Sequence, residues 1–232
     1  MSATDAGNGA FPRVPAPWRL HGQGYILALW LPRRVLDGAS FLPPELGASR
    51  RGNIAWAMFA DYAAADVGPY RELLFIPGSV RFSDARRRSI SRIFVSSEAS
   101  AANARRNWGI PKECCDFRVR YGADRVDEVA LARGGREFVR LRLRHYRPRV
   151  PLNGAWMPAR LRTLGQLREG REYSYTPAAT GHVAPARLLS AYIDPGCFPD
   201  IGAGRVVLAL KATDFDLVFP AARVRRPGAA RA

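Results

Sequence analysis

Lysine is nearly absent from this chain. Of its 36 cationic side chains only Lys112 and Lys211 are lysine, against 34 arginines. Lys112 stands in NWGIPKECC, residues 107–115, between a proline and two cysteines and close to Trp108, Ile110 and Phe117. A lysine in such a setting suggests amine chemistry. With a pKa near 10.4 a lysine is neutral in about 4 molecules per 10,000 at pH 7, whereas attack on a carbonyl needs the neutral amine. Burial among apolar groups lowers a lysine pKa by up to ~3–5 units. The neighbours of Lys112 therefore predict a lowered pKa and an enclosed nucleophile; a lysine snorkelling from a strand edge is the bland alternative. Lys211 falls beside Arg205 on a strand from Val206 to Thr213, opposite Val206, Leu208 and Leu210, and is expected in solvent.

Glu72 is the second candidate. On an extended Tyr70–Ile76 it shares a face with Tyr70, Leu74 and Ile76. A carboxylate there is paired, raised in pKa, or placed on a wetted edge. It could orient Lys112 or move protons on and off a carbinolamine, and a structural pairing with an arginine is the alternative. Tyr25, Trp56, Tyr70 and Trp108 are candidates to line a cavity, or plain core. His21, His145 and His182 lie far apart without ligand spacing, so no metal is expected. Cys114 and Cys115 have no evident partner histidine, and no glycine-rich phosphate loop follows a strand, so no cofactor is expected.

Two kinds of element must position these residues. Segments reading as strands are 24–30, 52–62, 70–82, 90–97, 116–121, 125–132, 137–147, 173–175, 188–193 and 206–219, separated by turn signals such as Arg133-Gly134-Gly135. The clearest alternates Arg140, Arg142 and Arg144 with Val139, Leu141 and Leu143. One alanine-rich helix, Glu98–Asn107, is capped by Ser96 or Ser97, with Arg105 and Arg106 at its end, Gly109 as a left-handed stop and Pro111 beyond. Lys112 thus leaves a rigid helix terminus.

Many antiparallel strands in 232 residues predict one mainly β (β-rich α+β) domain, a barrel or sandwich with a few short helices. It spans residues 17–220, between loose ends at 1–16 and 221–232. The net charge of +16 is spread through the chain without a basic reading helix or an RNA-binding aromatic signature, so nucleic acid is not the expected partner. No apolar run approaches the ~20 residues of a membrane span, and the small, polar, proline-broken start lacks a signal-peptide core. With three cysteines making a poor disulfide framework, a soluble, reduced, cytoplasmic protein is expected.

Several stretches together resemble the acetoacetate decarboxylase superfamily over most of residues 17–220. Residues 98–112 are similar to the family's helix leading into a Pro-Lys-Lys motif, whose first lysine is the Schiff-base nucleophile; Lys112 matches it. GPYRELLFIPG, residues 68–78, is similar to the segment carrying an active-site glutamate, which falls on Glu72. PWRLHGQGY (17–25) resembles the opening strand, and APARLL (184–189) a later Pro-x-Arg-Leu segment. The resemblance implies a cone-shaped, largely antiparallel β-barrel enclosing the lysine, a homo-oligomer, and a cofactor-free lyase acting on a keto acid or related carbonyl ligand. Tyr25, Tyr70 and Trp108 would line its substrate site. Three positions depart from the pattern. Glu113 replaces the second lysine, Gln23 stands where an arginine binds the substrate carboxylate, and Ala55 replaces a second glutamate. The runner-up is a non-catalytic barrel that binds an apolar or keto-bearing metabolite of isoprenoid or carotenoid type.

Overall fold

A computed structural model describes residues 11–38 and 41–227. The elements in chain order are β1 (Trp18–Trp30), α1 (Arg33–Gly38), α2 (Pro44–Gly47), β2 (Ile54–Ala65), β3 (Tyr70–Ile76), β4 (Ser79–Arg81), β5 (Arg86–Arg88) and β6 (Arg92–Val95). Then follow α3 (Glu98–Trp108), β7 (Lys112–Cys114), β8 (Asp116–Tyr121), β9 (Val126–Arg133), β10 (Arg136–His145), β11 (Val150–Asn153) and α4 (Ala159–Arg162). The last strands are β12 (Leu164–Arg168), β13 (Arg171–Tyr175), β14 (Ala178–Ile193), β15 (Arg205–Phe219) and β16 (Arg223–Arg225). The fold is mainly β, as expected. Among the described residues no helix is long and apolar enough to cross a membrane.

The large sheet runs β7-β6-β3-β2-β1-β15-β14-β10-β9-β8, with β11 also on β14; a smaller one runs β16-β13-β12-β5-β4. Neighbours are antiparallel except for β6–β7 and β5–β12. Among the described residues neither sheet closes into a hydrogen-bonded ring, and β7 and β8 remain the two ends of the larger path.

Strand alternation divides the apolar residues between two cores, one on each face of the large sheet. The first takes Tyr25, Leu27 and Leu29 from β1, Leu73 and Phe75 from β3, and Leu141 and Leu143 from β10. The second takes Trp18, Leu20, Tyr70, Leu74 and Ile76. It is completed by Ala101, Ala104 and Trp108 of α3 and Tyr175 of β13. β10 shows the rule plainly, with Arg140, Arg142 and Arg144 exposed and Leu141 and Leu143 buried.

The single strand expected over 70–82 divides at Pro77-Gly78: β3 stays in the large sheet and β4 joins the small one. Gly78 has φ +115°, and a Cβ there would lie 2.6 Å from the Arg51 carbonyl oxygen, so the switch requires glycine. The ends expected to be loose are tied down where described. Val14 N donates to Asn103 Oδ1 (2.9 Å), Asn107 Nδ2 donates to the Val14 carbonyl (2.9 Å), and β16 pairs with β13. Residues 1–10 and 228–232 of those ends lie outside the described residues.

Candidate active site

Lys112 is positioned by the β6–α3–β7 unit. Ser97 caps α3 by accepting from Ser100 N (3.2 Å), and Glu98 opens the helix while Arg105 and Arg106 close it, matching the helix dipole. Gly109 ends it at φ +67°. A Cβ there would meet the Tyr173 ring at 2.7 Å, so both conformation and space demand glycine. The chain then returns as β7, parallel to β6, with Lys112 opposite Ile93. Arg105 Nε donates to the Lys112 carbonyl (2.9 Å) and clamps the strand to the helix that precedes it.

The Lys112 ammonium is enclosed. It donates to Glu72 Oε2 at 3.0 Å, to the Tyr70 hydroxyl at 3.1 Å and to Ser100 Oγ at 3.1 Å, and lies 4.7 Å from the Tyr70 ring centre. The other Glu72 oxygen accepts from the Tyr62 hydroxyl (2.8 Å). Lys112 is 4% exposed and Glu72 6%. Around them Trp18, Leu20, Trp108, Ile110 and Phe219 line a cavity of about 20 Å³. That is room for about one water. Among the described residues no arginine lines it.

The lowered pKa expected for Lys112 is not what this arrangement produces. Burial alone pulls the amine down, but the Glu72 carboxylate and Tyr70, through charge and hydrogen bonds, outweigh it and hold Lys112 above the ordinary lysine value. The apolar neighbours in sequence supply the burial; the carboxylate that reverses the sign comes from a strand 40 residues away. Burial, the Glu72 charge and the neighbouring Tyr70 raise Tyr62 well above its usual value. Burial also pushes Tyr70 up to about 12, although Lys112 pulls the other way.

Lys112, Glu72, Tyr70 and Trp108 are therefore brought together. Tyr25 is not: it faces the first core, and its hydroxyl donates to Asp127 Oδ2 at 2.7 Å. Gln23 sits opposite Asp61 on β2 and does not line the cavity. Ala55 is buried in the first core. Glu113 turns away from Lys112, pairing with Arg92 and with Arg133 Nη2 (2.8 Å). Lys211, expected in solvent, is 2% exposed and donates to Asp127 Oδ2 at 3.0 Å in the first core.

Ser100 and Tyr62 escaped the sequence reading. Ser100 precedes Ala104 and Trp108 at helical spacing on the buried stripe of α3, so a hydroxyl on that stripe was the available signal. Tyr62 reaches Glu72 because it is paired with Tyr70 across β2 and β3, a register no local pattern reveals.

A buried amine, a carboxylate and phenols converge on a small apolar cavity of a β-rich sheet, which makes this the candidate active site. The sequence profile of the acetoacetate decarboxylase (ADC) family matches residues 35–187. That is more than half of the chain, and the chain belongs to this family. No curated protein matches the sequence. Among solved structures, one described as acetoacetate decarboxylase, without a stated organism, superposes with a TM-score of 0.71 at 14% identity. It covers 99% of this chain and 97% of that one. Acetoacetate decarboxylase from Legionella pneumophila gives 0.68 at 14% identity, covering 99% and 100%. The enduracididine biosynthesis enzyme MppR, complexed with the condensation product of pyruvate and imidazole 4-carboxaldehyde, gives 0.62 at 16% identity, covering 94% and 92%. These likenesses establish a shared fold.

Proposed function

We propose that the protein is a cofactor-free lyase that forms an imine between Lys112 and a small keto compound. The observation that carries this reading is the convergence of Glu72, Tyr70 and Ser100 on the Lys112 amine inside an apolar cavity. In the resting pair the ammonium is charged. Glu72, at 3.0 Å, takes one proton as the carbonyl arrives, and the neutral amine attacks the carbonyl carbon. The proton then returns to the carbinolamine oxygen, water leaves, and a protonated imine remains. Two of the three ammonium protons end in that water. The iminium withdraws electrons, so an adjacent carbon–carbon bond breaks or an adjacent proton leaves.

Because no guanidinium among the described residues lines the cavity and Gln23 stands apart from it, the site supports an aldol-type or dehydration step better than a decarboxylation that anchors a free carboxylate. MppR, which holds a pyruvate condensation product on the same fold, is consistent with that class. The family resemblance adds assembly into a homo-oligomer to the proposal, and the poor disulfide framework of three cysteines adds the cytoplasm. A cavity with room for about one water must widen even for a compact keto compound, and it is far too small for a carotenoid.

Reductive trapping with borohydride and a panel of keto compounds, read by intact mass and peptide mapping, tests the proposal. An adduct on Lys112 that disappears in Lys112→Ala and Lys112→Arg supports it; an arginine with a pKa above about 12 supplies no neutral nucleophile. Wild-type protein that gives no Lys112 adduct across the panel leaves a non-catalytic binding barrel as the function.

A further inference from the structure

Lys211 sits in the first core, on the opposite face of the large sheet from Lys112. Both lysines are buried, Lys211 at 2% exposed and Lys112 at 4%. Asp127, itself 2% exposed, accepts from both Lys211 Nζ (3.0 Å) and the Tyr25 hydroxyl (2.7 Å) through one oxygen. The ammonium lies between two aromatic faces, 4.5 Å from the Tyr25 ring centre and 4.9 Å from that of Tyr121. Tyr25 is fully enclosed, but Tyr121 is 41% exposed, so its ring stands between Lys211 and solvent.

Tyr121 is also the last residue of β8, the open end of the large sheet. Its hydroxyl is tethered to Asp61 Oδ2 at 2.6 Å on the exposed side. Terminal residues of end strands open at far lower free energy than core strands. Tyr121 is therefore the side chain whose displacement would open a path to the amine.

We propose that Lys211, Asp127 and Tyr25 form a second amine site, capped by Tyr121, that condenses with a small uncharged aldehyde or ketone. Asp127 takes one proton from the ammonium, the amine adds to the carbonyl carbon, a second nitrogen proton moves to the resulting oxygen to make a hydroxyl, and the proton on Asp127 then goes to that hydroxyl, which leaves as water. The product is a protonated imine on Lys211. The groups facing the amine are Asp127, Tyr25, Tyr121, Asp61 and His145. Burial outweighs the pull of the two carboxylates there and holds Lys211 below the ordinary lysine value, the reverse of Lys112. Of the two lysines, Lys211 is the one held nearer its neutral, nucleophilic form.

The chain has only two lysines and an N-terminal amine, so labelling is unambiguous. Full-length protein is incubated with propanal and cyanoborohydride, and adducts are mapped by peptide mass in wild type, Lys112→Ala, Tyr121→Phe and Tyr121→Ala. The expected result is a slow Lys211 adduct in wild type that persists in Lys112→Ala and forms about tenfold faster once Tyr121 is trimmed. Tyr121→Phe keeps the ring, loses the Asp61 tether and gives an intermediate rate; it also guards against a Tyr121→Ala protein that fails to fold. Labelling of the N-terminal amine without any Lys211 adduct, in wild type and both Tyr121 variants, overturns the proposal. That outcome is separable from failure of the Lys112 reading, because the two lysines fall in different peptides.

Discussion

Glu113 and Lys112 are neighbours in the chain and face opposite sides of β7: Lys112 meets Glu72 in the second core, while Glu113 binds Arg92 and Arg133 outside it. The family resemblance puts a second lysine at position 113, and in this fold that side chain does not reach the cavity. Glu113→Lys should therefore leave the pH profile of imine trapping at Lys112 unchanged. It should lower stability by up to about 1 kcal/mol, since Glu113 is 38% exposed and its ion pairs are screened. A shifted trapping profile would show that the residue-113 side chain couples to the amine.

Glu72 sets the charge of Lys112. In Glu72→Gln the burial penalty on the ammonium remains and the compensating carboxylate is gone, so the Lys112 pKa should fall. The half-maximal pH for trapping then moves down. Stability at pH 7 should drop by about 3–5 kcal/mol, the usual loss when one partner of a buried pair is removed. Urea unfolding and trapping rates across pH check both; an unmoved trapping profile would mean that Glu72 does not govern the amine.

The local devices around Lys112 were readable from sequence because each acts within a few residues: the Ser97 cap, the Arg105 and Arg106 end charges, the Gly109 stop and the shared face of Tyr70, Glu72 and Leu74. The position of Lys211 was not. Period-two reading places it opposite Val206, yet both lie on the first-core face, because β15 carries extra residues relative to β1. Ala28 pairs with Leu208 and Leu29 with Val206, leaving Val207 over. Gly22 pairs with Phe215 and Gly24 with Ala212, and the extra residues there include Asp214 at φ +48°. Each bulge flips the face of the residues beyond it. Bulges are set by the partner strand, so no local pattern announces them.

The cysteines next to Lys112 should be inert. Burial, with Glu98 nearby, pushes Cys114 up to about 12, and burial does the same for Cys115 against the pull of Arg133. At pH 8 each is a thiolate in about 1 molecule in 10,000, against roughly 1 in 4 for an ordinary thiol. Disulfide-reagent labelling at pH 8, mapped by peptide, should modify Cys114 and Cys115 about a thousandfold more slowly than free cysteine. Rapid modification of either would reopen a cysteine nucleophile.

The two lysines should leave opposite signatures in stability against pH. Lys112 is raised in the folded state, so its contribution is complete below the unfolded value of 10.5 and is lost as pH climbs past that value through the folded one. Lys211 is lowered. Between its folded value and 10.5 the unfolded chain holds a proton that the folded chain has released, so its contribution becomes more favourable as pH rises across that window. Urea midpoints from pH 7 to 11 for wild type, Lys112→Met and Lys211→Met separate the two. Subtracting the variants largely removes the background from the raised tyrosines common to all three proteins. The wild-type advantage over Lys112→Met should hold flat to about pH 10 and then shrink, whereas relative to Lys211→Met wild type should gain with rising pH. A Lys211 difference that falls with pH would place that amine above its ordinary value, the reverse of the direction that burial sets for it.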